Sequence, residues 1–410
     1  MNEKTSTLKK VALPAIAGIT ALSLAACGGS GTSSGGGGGG DTVNLSVTTT
    51  IGGPDSFHNV PISDFLDEVS SATDGNVTYD FHYANSIVPP AEIGSAMADA
   101  TVDTGLVITS YNPSEFPISN WLSQLGFAGE SGAPAMALER AAATTNWWFE
   151  HPEAAQSDFV DKGLIPLTPG FNSITSYHLI CTDPITSLAD ARGKSVRTGG
   201  QAWADIAQSI GMTPVSLPGA EMYEALQRGI VDCAMVAGAD MVDSNLFEVA
   251  KHYTTMNLPG FTPYGIFISK KTWDKLDEET KDAIWDNLHV YMESLTVEGM
   301  KLESSLFDEP GMQFHEMEPD LAEAVAQYQD EVRTSAADKA PASLPDPQAA
   351  VDSFFALNEQ WGDTVTNDLG VASESSWAAW FESGGNIEDI DIEGYGSRLT
   401  ETMFTGNRPE

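Results

Sequence analysis

Few positions in this chain combine residue types and spacings that could do chemistry, and most of those fail on context. Gly31-Thr32-Ser33-Ser34-Gly35 matches the G-x-S-x-G pattern of a serine nucleophile, but that motif needs a strand before it and a helix after it, and here the flanks are glycine and serine. Gly193-Lys194-Ser195 has the tail of a phosphate-binding loop, yet position 188 is Leu where the loop requires Gly. The seven histidines are scattered with no H-E-x-x-H, and three cysteines offer no zinc spacing. No Ser-His-Asp set can be assembled by spacing. Arg197 stands apart. It ends a short β-type run and is followed by Gly199-Gly200 and a helix start. A guanidinium is a planar fork that pairs bidentately with a carboxylate. The free N–H groups and dipole of a helix N-terminus favour an anion beside it. The competing reading is a structural arginine paired with one of many nearby acids.

The first forty residues carry a different kind of signal. Lys4, Lys9 and Lys10 precede an apolar run from Val11 to about Leu24, then small residues ending at Cys27, the order of a secretory signal. The run Leu24-Ala25-Ala26-Cys27 resembles a bacterial lipoprotein lipobox, which implies that Cys27 becomes the lipidated first residue of the mature protein. The apolar run is short of the roughly 20 residues that span a membrane. Residues 1–27 therefore read as a lipoprotein signal peptide. Residues 28–40, GGSGTSSGGGGGG, read as a flexible tether with a root-mean-square reach of about 20 Å.

Residues 41–410 are enough for two domains with their own cores. The net charge of -39, from 58 acidic and 19 basic residues, excludes nucleic acid as a partner, since phosphate binding needs basic surface. An anionic ligand must find a local positive spot in a negative molecule. Cys181 and Cys233 remain after Cys27. An oxidising compartment would permit a disulfide between them, and the residues alone lean towards two buried free thiols.

The elements that must position Arg197 read as α/β. Residues 42–50 and 76–83 alternate as strands, 56–72 carry helical spacing, Pro89-Pro90 opens a helix, and 105–110 form a short buried strand. That order implies parallel strands with right-handed crossovers, and ligands in such sheets bind beyond the carboxyl ends of the strands. The loops 52–58 and 110–112 are thus candidate site walls. The middle repeats the grammar, with strands at 176–182, 194–197, 230–236 and 264–269 and helices at 188–193, 201–211, 221–228 and most of 270–305. The segment APASLPDPQ breaks the pattern; a helix over 348–362 and a loosely structured acidic tail are expected after it.

Three runs then point to a family. They are Asp183-Pro184-Ile185 with 188–197 (LADARGKSVR), Pro214-Val215-Ser216 with 221–232 (EMYEALQRGIVD), and 247–253 (FEVAKHY). Their sequences and spacing resemble the TRAP (tripartite ATP-independent periplasmic) solute-binding proteins, over about residues 41–330. The resemblance implies a two-domain, periplasmic-binding-protein-like α/β architecture, with a ligand cleft between the domains and long helices linking them. On the family's layout domain I is 41–174 plus 263–302 and domain II is 175–262 plus 303–340. Chain crossings near 174 and 262 act as hinges, and 341–410 form a helical extension and acidic tail. It also implies a protein that captures a small organic acid and hands it to an ion-gradient-driven TRAP permease, without chemistry and without a cofactor.

The family's signature arginine falls on Arg197. Many members carry a second arginine where this chain has Tyr177, beside His178. A Gly-Gln-Glu-Asn-Pro stretch is replaced by Cys233-Ala234-Met235-Val236-Ala237. With one cation and one amide missing, a second ligand carboxylate would be poorly served. The expectation is a monocarboxylate contacted by Arg197, Tyr177, Met235, Val236 and Trp203, with Ser110, Tyr111 and Tyr264 completing the site. Trp203 and Met235 read equally well as core. Gly219 stands where relatives often place an aromatic residue, a loss that Phe261 or Tyr264 could compensate. Asp240 and Asp243 are a weak hint of a cation. The alternatives are a binding protein for an ATP-driven importer or a sensor kinase, and a tethered hydrolase, for which no nucleophile motif is present.

Overall fold

The computed structural model describes residues 42–172, 177–260 and 263–410. Cys27, the 28–40 tether, the expected crossings near 174 and 262, and Phe261 lie outside the described residues. In chain order the strands are β1 (Val43–Thr48), β2 (Val77–His82), β3 (Thr104–Ile108), β4 (Ala133–Pro134), β5 (Leu164–Pro166), β6 (Tyr177–Cys181), β7 (Ser195–Thr198), β8 (Thr213–Ser216), β9 (Cys233–Val236), β10 (His252–Leu258), β11 (Tyr264–Ser269), β12 (Gln313–Glu316) and β13 (Ser373–Glu374). Two main sheets result, β2-β1-β3-β11-β5 and β12-β10-β6-β9-β7-β8, with a short β13-β4 ribbon. Each sheet with its helices forms one lobe.

In the first sheet β1 pairs parallel with β2 and β3, as the strand-helix alternation requires. β11 then enters antiparallel between β3 and β5. β3 and β11 are buried along their whole length, which suits their unbroken apolar runs. Gly105 sits where β3 meets β1: its φ is +146°, and a Cβ there would run into the Thr48 carbonyl. In the second sheet β7 lies parallel to β8 and β9, while β6 runs antiparallel to β9 and β10. Strands β5, β8, β10 and β12 have no clear sequence signature. β8 and β12 are short edge strands without a buried face, and β8 carries Pro214, a residue at home on edges.

One helix touches both lobes. Near its start, Ser294 of the Leu288–Leu306 helix donates to Asp64 on the Val60–Ala72 helix at 2.6 Å. Near its end, Glu303 accepts the Ala239 N–H at 3.0 Å at the head of the Gly238–Asp243 helix. Nineteen residues at about 1.5 Å each give a strut of about 28 Å, long enough to reach across two packed layers. Among the described residues no helix is long and apolar enough to cross a membrane.

Two expectations are corrected. Cys181 and Cys233 are not free thiols. They stand opposite each other on β6 and β9, Cα–Cα 4.1 Å, and are joined as a disulfide. Closing a loop across a separation of 52 residues restricts the unfolded chain by about 4 kcal/mol in the loop-entropy picture. Nor is the segment after residue 363 a loose tail. Trp377, Trp380, Tyr395, Leu399, Met403 and Phe404 are buried, and the Ile392–Leu399 helix packs on the Leu288–Leu306 helix. The acids of this stretch face outward, so its composition concealed a buried face.

Candidate functional site

Arg197 lies near the carboxyl end of β7 and is only 3 % exposed. Its Nε donates to the Leu217 carbonyl at 2.9 Å, one Nη reaches the Met235 carbonyl at 3.5 Å, and it hydrogen-bonds the Tyr177 side chain. Among the described residues no carboxylate is within ion-pair distance of it. Among the described residues the guanidinium is therefore buried against neutral oxygens, with no carboxylate paired to it. Burial of a charge is tolerable only when it is paired, so this position is suited to a ligand anion. Gly199 keeps the approach open, since a Cβ there would lie 3.3 Å from an Arg197 Nη.

Tyr177 opens β6 at the same end of the sheet. Burial raises its hydroxyl pKa well above the usual value, with the Asp240 charge adding to the effect, so it stays a neutral hydroxyl. Its ring packs 4.9 Å from that of Trp203, whose indole N–H donates to the Pro259 carbonyl at 3.0 Å. Met235 and Val236 do not form one wall. Successive residues on a strand face opposite ways; Val236 packs with Ile180, Leu226 and Met241 in a separate small cluster, while Met235 belongs to the main core.

The other lobe supplies Ser110 and Tyr111 directly after β3, as the strand-end rule anticipates. Ser110 Oγ donates to the Gly199 carbonyl at 2.8 Å, and Tyr111 Oη accepts the Gly219 N–H at 3.0 Å. At Gly219 it is Tyr111, rather than Tyr264, that approaches: a Cβ there would lie 3.9 Å from the Tyr111 hydroxyl and 3.7 Å from Ile51.

Tyr264 takes part in an arrangement that sequence reasoning did not foresee. His58 Nε2 meets Asp240 Oδ1 at 3.0 Å across the two lobes, and His58 Nδ1 meets the Tyr264 hydroxyl at 3.2 Å. Tyr291, on the linking helix, donates to that hydroxyl at 3.3 Å. A second cross-lobe bond joins Ser56 Oγ to Asp243 at 2.9 Å, and burial raises the Asp243 pKa. His58 and Ser56 fall inside the 52–58 loop already marked as a site wall, but nothing local could reveal partners more than 180 positions away. Asp240 and Asp243 thus face a histidine and a serine, and among the described residues no group of three metal-ligating side chains assembles. Two cavities, of about 220 and 400 Å³, lie elsewhere, one beside Tyr253 and Trp377 and one beside Trp148 and Trp285.

Comparison with known proteins adds to this geometry. Residues 52–339 match the family model of the bacterial extracellular solute-binding proteins, family 7 (DctP). A solute-binding protein of Albidiferax ferrireducens is 25 % identical over 253 residues, 60 % of this chain and 70 % of that protein. Two crystal structures of TRAP solute-binding proteins share the fold. One, from a marine metagenome and specific for pyroglutamate, has a TM-score of 0.64 at 20 % identity, covering 77 % of this chain and 99 % of that one. Another, from Bordetella bronchiseptica with bound (R)- and (S)-mandelate, has a TM-score of 0.65 at 21 % identity, covering 78 % and 99 %. The match over residues 52–339 takes in Arg197 and strands from both sheets, and on that ground the chain belongs to the TRAP family of bacterial extracellular solute-binding proteins.

Proposed function

We propose that this protein captures a small organic acid carrying a single carboxylate and delivers it unchanged to an ion-gradient-driven TRAP permease. The observation that carries the reading is the buried Arg197 guanidinium, which no carboxylate of the described residues neutralises. The ligand's carboxylate takes that place. Tyr177 and Trp203 stand beside it, Ser110 and Tyr111 reach across from the other lobe, and Tyr264 on that lobe holds His58. Among the described residues Arg197 is the one arginine or lysine placed at the site, which favours a single carboxylate over two. Pyroglutamate and mandelate, named for the two structural neighbours, are both acids of this kind.

In this reading the lobes are domain I (41–174 with 263–302) and domain II (175–262 with 303–340), and Cys27 holds the protein to the outer face of a membrane by its lipid. The cross-lobe bonds of Ser110 and Tyr111 support a cleft that closes over its ligand.

The test is a thermal-shift screen against small carboxylates with Arg197→Ala in parallel. A ligand at one hundred times its Kd adds about 2.7 kcal/mol of stability. A shift for a monocarboxylate that vanishes in the variant is the expected result. A much larger shift for succinate or malate would sink the single-carboxylate reading, and equal shifts in both proteins would remove Arg197 from the site.

A further inference from the structure

The cavity of about 220 Å³ lies away from Arg197, between β10, β12, the residues just after the Leu288–Leu306 helix, and residues 375–378. Residues 375–378 come from beyond the family-matched region 52–339, so this chain's own extension helps to build the site. Two polar atoms in its lining, His178 Nε2 and the Tyr253 hydroxyl, have no hydrogen-bond partner among the described residues. His178 is 6 % exposed; its Nδ1 accepts the Met256 N–H at 3.0 Å, and its ring makes no other hydrogen bond among the described residues. Burial pushes its pKa down to about 3, so the ring is neutral with its proton on Nε2, a donor without an acceptor. Tyr253, also buried, makes no hydrogen bond through its hydroxyl among the described residues. Neither His178 Nε2 nor the Tyr253 hydroxyl is among the fully enclosed polar atoms without a partner, so both open onto the accessible space of the cavity, where a ligand can reach them.

The rest of the wall is aromatic. The Tyr253 ring lies 5.1 Å from His178 and 5.5 Å from Phe314, which stacks on Phe307 at 5.0 Å. Phe314 is one of three large hydrophobic side chains left exposed among the described residues, and Trp377 of the extension lines the same cavity.

We propose that this cavity is a second ligand site, taking a small uncharged ring compound that carries a hydrogen-bond acceptor. An apolar cavity of about 150 Å³ already holds benzene, so one substituted ring fits here. The acceptor meets His178 Nε2–H, and the ring lies against the Tyr253–Phe314–Phe307 series. An anion is disfavoured because Glu316 lines the cavity and the chain carries a net charge of -39, while Arg140, whose charge acts on His178, is not part of the lining and donates to the Phe127 and Ala128 carbonyls. A cation would leave the His178 donor facing a positive charge. The ligand class therefore differs from that of the cleft, and the inference does not depend on the cleft's ligand.

Benzamide tests it, with benzoate and benzylammonium as charged counterparts, by calorimetric titration of the full chain. Expected is benzamide binding that is equal in the wild type and Arg197→Ala, and weaker by about tenfold or more in His178→Phe and Trp377→Ala. Should His178→Phe fail to fold, Trp377→Ala decides alone. The proposal is overturned by no benzamide binding at millimolar concentration, by affinity unchanged in Trp377→Ala, by loss in Arg197→Ala, or by either charged counterpart binding as tightly as benzamide.

Discussion

The molecule has two seams built from opposite materials. In front, the lobes meet through hydrogen bonds: Ser110 to Gly199, Tyr111 to Gly219, Ser56 to Asp243 and His58 to Asp240. At the other seam, residues 341–410 are fastened by buried rings. Trp147 donates to the Ala350 carbonyl, Trp285 to that of Phe404, and Tyr395 to that of Leu138, with Trp361, Trp380 and Phe404 packed around them. A hydrogen bond exchanged against water contributes about 1 kcal/mol, whereas full burial of a large apolar side chain contributes about 2–3 kcal/mol. The front seam is therefore the weaker of the two, and the extension is held by buried apolar surface.

The strongest way to break that comparison is Tyr395→Ala. Deleting a fully buried ring and its hydrogen bond should cost about 3–5 kcal/mol of unfolding free energy; a loss under about 1 kcal/mol, read by chemical denaturation, would make the extension peripheral after all. Next comes Arg197→Ala, which should weaken binding of the cognate acid by about 100-fold or more while leaving the ligand-free melting temperature nearly unchanged. A large drop in ligand-free stability would instead mark Arg197 as structural. Third, the pair Ser110→Ala with Tyr111→Phe removes two cross-lobe bonds, about 1 kcal/mol each. Small-angle scattering of the ligand-free double variant should show a larger radius of gyration, and an unchanged radius would mean that these bonds do not hold the lobes together.

The smallest expected effect concerns pH at the front seam. Burial raises the Asp243 pKa above its unfolded value, so the folded protein binds the extra proton. The stability this group contributes is full below about pH 4, the unfolded value, and is lost as pH rises through the raised folded pKa. Asp243→Asn should remove that part of the decline, seen as a flatter melting temperature between pH 4 and 7. An identical profile in both proteins would place Asp243 in solvent.

How much could be read in advance varied with how local the signal was. β1, β2, β3 and β11 announce themselves by alternation or by unbroken apolar runs, and the Val60–Ala72 and Gln201–Ser209 helices by their spacing. Edge strands β8 and β12 did not, because a strand with no buried face leaves no pattern. The extension reads as loose from its sequence because its acids mask a helix face that holds Tyr395 and Leu399.

By itself the sequence determined the α/β class, the family-bearing run around Arg197, and the two loops that face the other lobe, since each rests on residues close in the chain. Only the tertiary structure decided that Cys181 meets Cys233, that His58 meets Asp240, that Tyr111 approaches Gly219, and that His178 shares a cavity with Trp377. The reason is physical. Helical and strand periodicities act over a few residues, whereas these pairs are 52 to about 200 positions apart and are brought together by burial, which depends on the whole chain folding at once.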